Sequence, residues 1–126
     1  MISPKFVDHL VFRVADLDRT EHFYTTLLGQ PEKENNYVVY SAGDTLIFFT
    51  RSPRGSGQNY DKEATGLNHV ALGLRSAAEL QTVKAQLDAA GIAHSGIKMW
   101  RDGATPYIWL DDPDGIRVEF WVRAKQ

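Results

Sequence analysis

Apolar, β-branched and aromatic residues run from Phe6 to Val14 and predict a strand. Asp18 stands three residues before Glu21, a capping-box-like start to a helix whose apolar stripe is Phe23, Leu27 and Leu28. Gly29 suits the helix stop, and Pro31 cannot continue the helix. Tyr37 to Tyr40 and Thr45 to Thr50 read as two strands joined by a four-residue turn, Ser41-Ala42-Gly43-Asp44, and Glu32 to Asn35 offers an extra strand. Arg51 to Thr65 is polar and holds Pro53, Gly55, Gly57 and Asn59; it reads as a connecting loop, either a plain surface linker or a cover over a cleft.

The pattern then recurs. Leu67 to Leu74 predicts a strand, and Ser76 with Glu79 a capping box. Leu80, Val83, Leu87 and Ala90 follow at helical spacing up to Gly91. Ile92 to Ile97 predicts a short strand, and Lys98 to Thr105 a loop. Pro106 to Leu110 and Ile116 to Val122 predict two strands around the turn Asp111-Asp112-Pro113-Asp114-Gly115. Asp8-His9-Leu10-Val11-Phe12-Arg13-Val14 and Asn68-His69-Val70-Ala71-Leu72-Gly73-Leu74 open the two halves alike, and Leu27-Leu28-Gly29 answers Ala89-Ala90-Gly91. Such an internal repeat implies two copies of one β-α-β-β unit, able to curve their sheets around a shared cleft.

With 126 residues the chain is long enough for one compact domain or two small fused modules. Fourteen basic residues against 16 acidic ones, a net charge of −2, give no electrostatic case for nucleic acid. The absence of cysteine excludes disulfides, thiolate-bound zinc and cysteine catalysis. Met1 to Lys5 lacks the apolar core of a signal peptide, and no apolar stretch reaches membrane-spanning length, so a soluble cytoplasmic protein without membrane partners is expected.

His9 and His69 occupy equivalent places on equivalent strands. A lone histidine on an apolar strand is usually a hydrogen-bonded packing residue; a matched pair weakens that reading. Glu119, between apolar neighbours in Ile116 to Val122, is a third candidate ligand. Strand parity allows it to face inward, where it needs a partner or a metal, or outward with Arg117. Two imidazoles and a carboxylate suit Fe(II), Mn(II), Zn(II), Ni(II) or Co(II), and leave coordination positions for substrate, water or dioxygen. Lys98 and Arg101 could hold an anionic substrate and Trp100 could stack on a ring, unless the loop is ordinary solvated surface. Phe12, Phe48, Phe49, Trp109, Phe120 and Trp121 could line an aromatic cleft, although strand aromatics are mostly packing. His22 and His94 have no counterpart in the other half and read as surface or structural.

The chain resembles the vicinal oxygen chelate superfamily, which includes glyoxalase I, extradiol dioxygenases, and the fosfomycin- and bleomycin-resistance proteins. The resemblance rests on Asp8 to Leu17 with Phe23-Tyr24 and Leu27-Leu28-Gly29, on Gly66 to Leu72, and on Asp112-Pro113-Asp114-Gly115 followed by Glu119. It implies an α+β fold of two tandem βαβββ modules, here about 1–52 and 66–126 around a linker of about 53–65, within one domain spanning the chain. It also implies a metal-binding cleft, a divalent metal on His9, His69 and Glu119, a small-molecule substrate, and a homodimer whose clefts combine modules of both chains.

Departures from the family pattern shape the expected reaction. Glyoxalase I-like members carry a second glutamate in the first half, where this chain has Ile47 or Phe48; a glyoxalase I-like lyase and its glutathione dependence are therefore disfavoured. Extradiol dioxygenases and fosfomycin-resistance thiol transferases share the His-His-Glu set and place a tyrosine about ten residues before the glutamate. Trp109 stands there, and Tyr107, two residues earlier on the same strand face, is the substitute candidate for proton transfer. Phe48, Trp100, Arg101 and Trp109 are the expected substrate contacts. Extradiol-type dioxygenation leads, a thiol transfer or ring opening of an antibiotic follows, and a non-catalytic antibiotic-binding protein is the competing class.

Overall fold

A computed structural model describes residues 1–55 and 59–123. They form two compact units, Met1–Gln58 and Asn59–Gln126. The first unit runs β1 (His9–Val14), α1 (Leu17–Leu28), β2 (Glu32–Glu34), β3 (Tyr37–Ala42) and β4 (Thr45–Arg51). The second repeats the plan as β5 (His69–Leu74), α2 (Ala77–Ala89), β6 (Lys98–Met99), β7 (Pro106–Asp111) and β8 (Arg117–Val122). Strand order is β1-β4-β3-β2 in one sheet and β5-β8-β7-β6 in the other. Among the described residues only β1–β4 and β5–β8 are parallel pairs, because in each unit a helix carries the chain back across the sheet after the first strand. The molecule is thus α+β, with tandem βαβββ modules.

Each sheet has a helix-covered face and an open face. In the first unit Val14, Val38, Tyr40, Ile47 and Phe49 are buried on the covered side, and Tyr24 of α1 stacks on Phe49 at 4.3 Å. In the second, Leu80, Val83 and Leu87 of α2 are buried, as are Ile108, Leu110, Val118 and Phe120 of the strands it contacts. Each such side chain stabilises its unit by about 1.5–3 kcal/mol. Strand alternation sends the intervening residues to the open faces, where the candidate chemistry lies.

Local signals account for most element ends, with some shifts. The α1 cap is Asp16 rather than Asp18: its carboxylate accepts from Arg19 N at 3.1 Å, and Leu17 is already helical. Ser76 caps α2, accepting from Glu79 N at 3.2 Å, and its hydroxyl donates to Glu79 Oε1 at 3.1 Å. Gly91 (φ 69°) ends α2 in a Schellman arrangement: Ile92 N reaches Leu87 O at 2.9 Å and Gly91 N reaches Asp88 O at 3.1 Å. The β3–β4 connection is two residues, Gly43-Asp44, because Ala42 already pairs with Thr45. Ile92 to Ile97 is not a strand. Its apolar residues follow β7 through one backbone bond, Ser95 N to Trp109 O, while the Ser95 hydroxyl takes up Trp109 N–H in place of a ladder bond. The strand on that edge is β6, inside the stretch expected to be all loop.

The connecting stretch is more than a plain linker over its described part. Tyr60 N bonds Asp114 O at 2.9 Å, the Tyr60 hydroxyl donates to Leu67 O, and Asn68 Nδ2 donates to Lys62 O at 2.9 Å. The first of these contacts holds Tyr60 on the Asp112–Gly115 turn, where Asp112 Oδ1 accepts from Asp114 N and Ile116 N at 2.8 and 2.9 Å. Residues 56–58 of this stretch lie outside the described residues. Among the described residues no helix is long and apolar enough to cross a membrane.

Candidate functional site

Strand register sets the site. In the second sheet His69 pairs with Arg117, which puts Glu119 two residues along β8 on the same open face. In the first sheet His9 pairs with Leu46, and two residues along β4 is Phe48. Phe48 is therefore the structural counterpart of Glu119, and Ile47, 3% exposed, belongs to the covered core.

The environments match that register. His69 Nε2 lies 3.6 Å from Glu119 Oε1, and the Glu119 side chain is only 11% exposed. In the first unit the Phe48 ring fills the corresponding place, edge-on to His9 with centroids 5.8 Å apart. Glu119 faces the open side rather than the helix, together with Arg117. The guanidinium of Arg117 is bound to Asp111 at 2.6 Å (Nε to Oδ1) and lies 3.7 Å above the Trp109 ring. The Asp111 carboxylate, followed by Coulombic attraction from Asp111 and then Glu119, raises its affinity for the proton and keeps it charged.

Each candidate histidine has a polar partner on the preceding residue. His9 Nδ1 lies 2.7 Å from Asp8 Oδ2, and His69 Nδ1 lies 2.8 Å from Asn68 Oδ1. An oxygen acceptor at Nδ1 assigns the proton there and leaves the Nε2 lone pair for a Lewis acid. His94 is fixed the opposite way: its Nδ1 accepts from Gly96 N at 2.9 Å and its Nε2 meets Asp88 Oδ1 at 2.6 Å, which makes it a structural residue.

The donor chemistry of His69 and Glu119 fits a divalent metal. Two donors each about 2.1 Å from a tetrahedral ion stand about 3.4 Å apart, close to the observed separation. Among the described residues no three His, Asp or Glu side chains group as a complete ligand set. His9 belongs to the first unit; His69 and Glu119 belong to the second.

The other candidates distribute clearly. Tyr107 lies flat on Trp121, with centroids 4.3 Å apart and planes 9° from parallel. Trp109 sits opposite Glu119 in the β7–β8 register. Trp100, beyond β6, turns its ring edge to Trp121 at 6.2 Å, and Arg101 lies 4.7 Å from the Trp100 ring, so the loop packs on the sheet's open side instead of standing free. Of the six strand aromatics, Phe12, Phe49 and Phe120 belong to the helix-covered sides, and Phe48, Trp109 and Trp121 to the open ones. Sequence reasoning assigned no role to Asp8, Asn68 or the Trp121 N–H. The available signal was a polar residue immediately before each histidine.

The fold is a duplicated βαβββ protein that places an imidazole beside a carboxylate on one sheet face. The chain belongs to the Glyoxalase/Bleomycin resistance protein/Dioxygenase superfamily, whose family model matches residues 6–120. A protein from Vibrio cholerae named probable lactoylglutathione lyase is 29% identical over 94% of this chain and 90% of its own length. A chloroplastic Arabidopsis thaliana protein of the same name is also 29% identical, over 91% of this chain, but the chain spans 35% of that protein's length. A crystal structure of a glyoxylase/bleomycin resistance protein/dioxygenase domain from Frankia sp. EAN1pec superposes with a TM-score of 0.80 at 21% identity, covering 98% of this chain and 95% of that one.

Proposed function

We propose that this chain is a divalent-metal enzyme of the glyoxalase type, acting on a small substrate that binds through neighbouring oxygens. The observation that carries the reading is His69 Nε2 at 3.6 Å from Glu119 Oε1, with His69 Nδ1 engaged by Asn68. His9 is the proposed third ligand, supplied by the first module of the same chain or of a second copy in a homodimer. When bound, the ion would polarise a substrate oxygen as a Lewis acid. Glu119 would both hold the ion and move a proton at the substrate carbon next to that oxygen, since Phe48 supplies no second carboxylate. Trp100, Arg101, Trp109 and Phe48 would contact the substrate, and Tyr107 is the remaining proton-transfer candidate.

The names of the curated relatives support lyase chemistry first. A second reading, extradiol-type ring cleavage with dioxygen, is favoured by Phe48, which leaves a three-donor His-His-Glu set. Metal content of natively purified wild type and Glu119→Ala tests the shared part; stoichiometric metal in the first and its loss in the second are expected. Isomerisation of a 2-oxoaldehyde–thiol adduct, set against ring opening of catechols under dioxygen, separates the two reactions. His69→Ala should abolish metal uptake while changing the stability of the metal-free protein by about 0.5 kcal/mol or less. Activity that survives complete metal removal would refute both readings.

A further inference from the structure

We propose that Trp121 is a positioning residue for Glu119: its indole N–H fixes the carboxylate before a cation binds and thereby sets the affinity of the site. The inference deepens the metal reading above and rests on it. Trp121 Nε1 donates to Glu119 Oε1 at 2.7 Å. That is short for an N–H···O bond and within the charge-assisted range. The acceptor is the same oxygen that faces His69 Nε2 at 3.6 Å, so the indole decides where that oxygen lies relative to the imidazole.

The donor is itself held. Tyr107 lies on one face of the Trp121 ring at 4.3 Å, the Trp100 ring meets it at 6.2 Å, and the Arg123 guanidinium is 5.6 Å from its centroid. An indole offers one donor, no acceptor and no ionisation, so it can steer the carboxylate without competing for the metal. It also occupies one lone-pair direction of Oε1 and leaves the other for a cation beside His69 Nε2.

The duplicated plan provides an internal control. Register pairs Gly73 with Trp121 in the second sheet and Arg13 with Thr50 in the first. Thr50, the counterpart of Trp121, turns its hydroxyl to Phe12 O at 3.5 Å. The steering donor thus occurs in the module that has the carboxylate and is missing from the module that has Phe48.

The test uses the whole 126-residue chain with ¹⁵N-labelled indoles and Zn²⁺ as the probe. There are three tryptophans, so each indole signal is assigned from single Trp→Phe variants. In the metal-free protein, Glu119→Ala should move the Trp121 signal upfield and leave Trp109 and Trp100 much less changed. Zn²⁺ should bind Trp121→Phe about 10–100-fold more weakly than wild type, the range for loss of a partner that orients a ligand. Wild-type Zn²⁺ affinity in Trp121→Phe, or a Trp121 signal indifferent to Glu119→Ala, would overturn the proposal. If Trp121→Phe does not fold, the Glu119→Ala spectrum decides, with Trp121 assigned by elimination. A wild-type protein that takes up no Zn²⁺, Fe²⁺ or Ni²⁺ would instead bring down the metal reading, and this inference with it.

Discussion

Asp8 and Asn68 each orient the histidine that follows by accepting at Nδ1, which presents Nε2 outward. Asn68→Ala should therefore weaken metal binding about 10–100-fold with little change in fold, a result that titration calorimetry would read directly. A second residue-scale prediction concerns Asp102 in the loop that carries Trp100 and Arg101. Its Oδ2 accepts from the Thr105 hydroxyl at 2.6 Å, and its Oδ1 accepts from Ala104 N and Thr105 N at 2.9 and 3.0 Å. The Thr105 hydroxyl first, and the Ala104 N–H next, hold this carboxyl below the usual carboxylate range. A depressed folded value means the tether is fully present above about pH 4, the ordinary aspartate value, and is lost as pH falls through the lower folded value. Amide exchange at Ala104 and Thr105 should be flat from pH 5 to 8 after correction for intrinsic rates, and should rise in acid. At this scale the repeat marked His9 and His69 as a matched pair and the apolar neighbours of Glu119 marked it as a candidate, and strand register puts His69 and Glu119 on one sheet face. It could not reveal Trp121 as a donor, since indole reach depends on the stack with Tyr107, which spacing does not encode.

Helix ends and strand faces were legible to different degrees. Gly91 was recognisable as the α2 stop, and the φ of 69° explains why. Gly91→Ala should cost about 1 kcal/mol, measured by urea unfolding, because an L side chain resists that conformation. The α1 start was misplaced by two residues, since Asp16 and Asp18 are both competent caps and only the helix phase that buries Leu17 and Thr20 chooses between them. Ile92 to Ile97 has the composition of a strand but lacks a continuous ladder, a tertiary outcome that composition cannot report. The ambiguity between Ile47 and Phe48 had the same origin. Alternation gives two faces, and the parallel register with β1 is needed to say which residue answers Glu119.

On the scale of the molecule, the repeat announced two modules, and the two sheets with identical strand order are what it produced. The proposed sharing of ligands between chains has a direct test. If His9 of one copy joins His69 and Glu119 of another, mixing equal amounts of inactive His9→Ala and His69→Ala proteins should restore about a quarter of the metal sites, because random exchange makes half of the dimers mixed and one of the two sites in a mixed dimer is intact. If all three ligands come from one chain, mixing restores nothing. The two-residue offset from each histidine's partner to Phe48 or Glu119 also bears on which changes of length the chain can inherit. A residue added within Trp100 to Thr105 lengthens a loop, and the sheet absorbs it. A residue added between Arg117 and Glu119 turns the carboxylate and the indole toward α2 and brings Phe120 to the open side. Selection should therefore tolerate insertions and deletions readily in the first segment and reject even a single one in the second, whatever amino acid is involved.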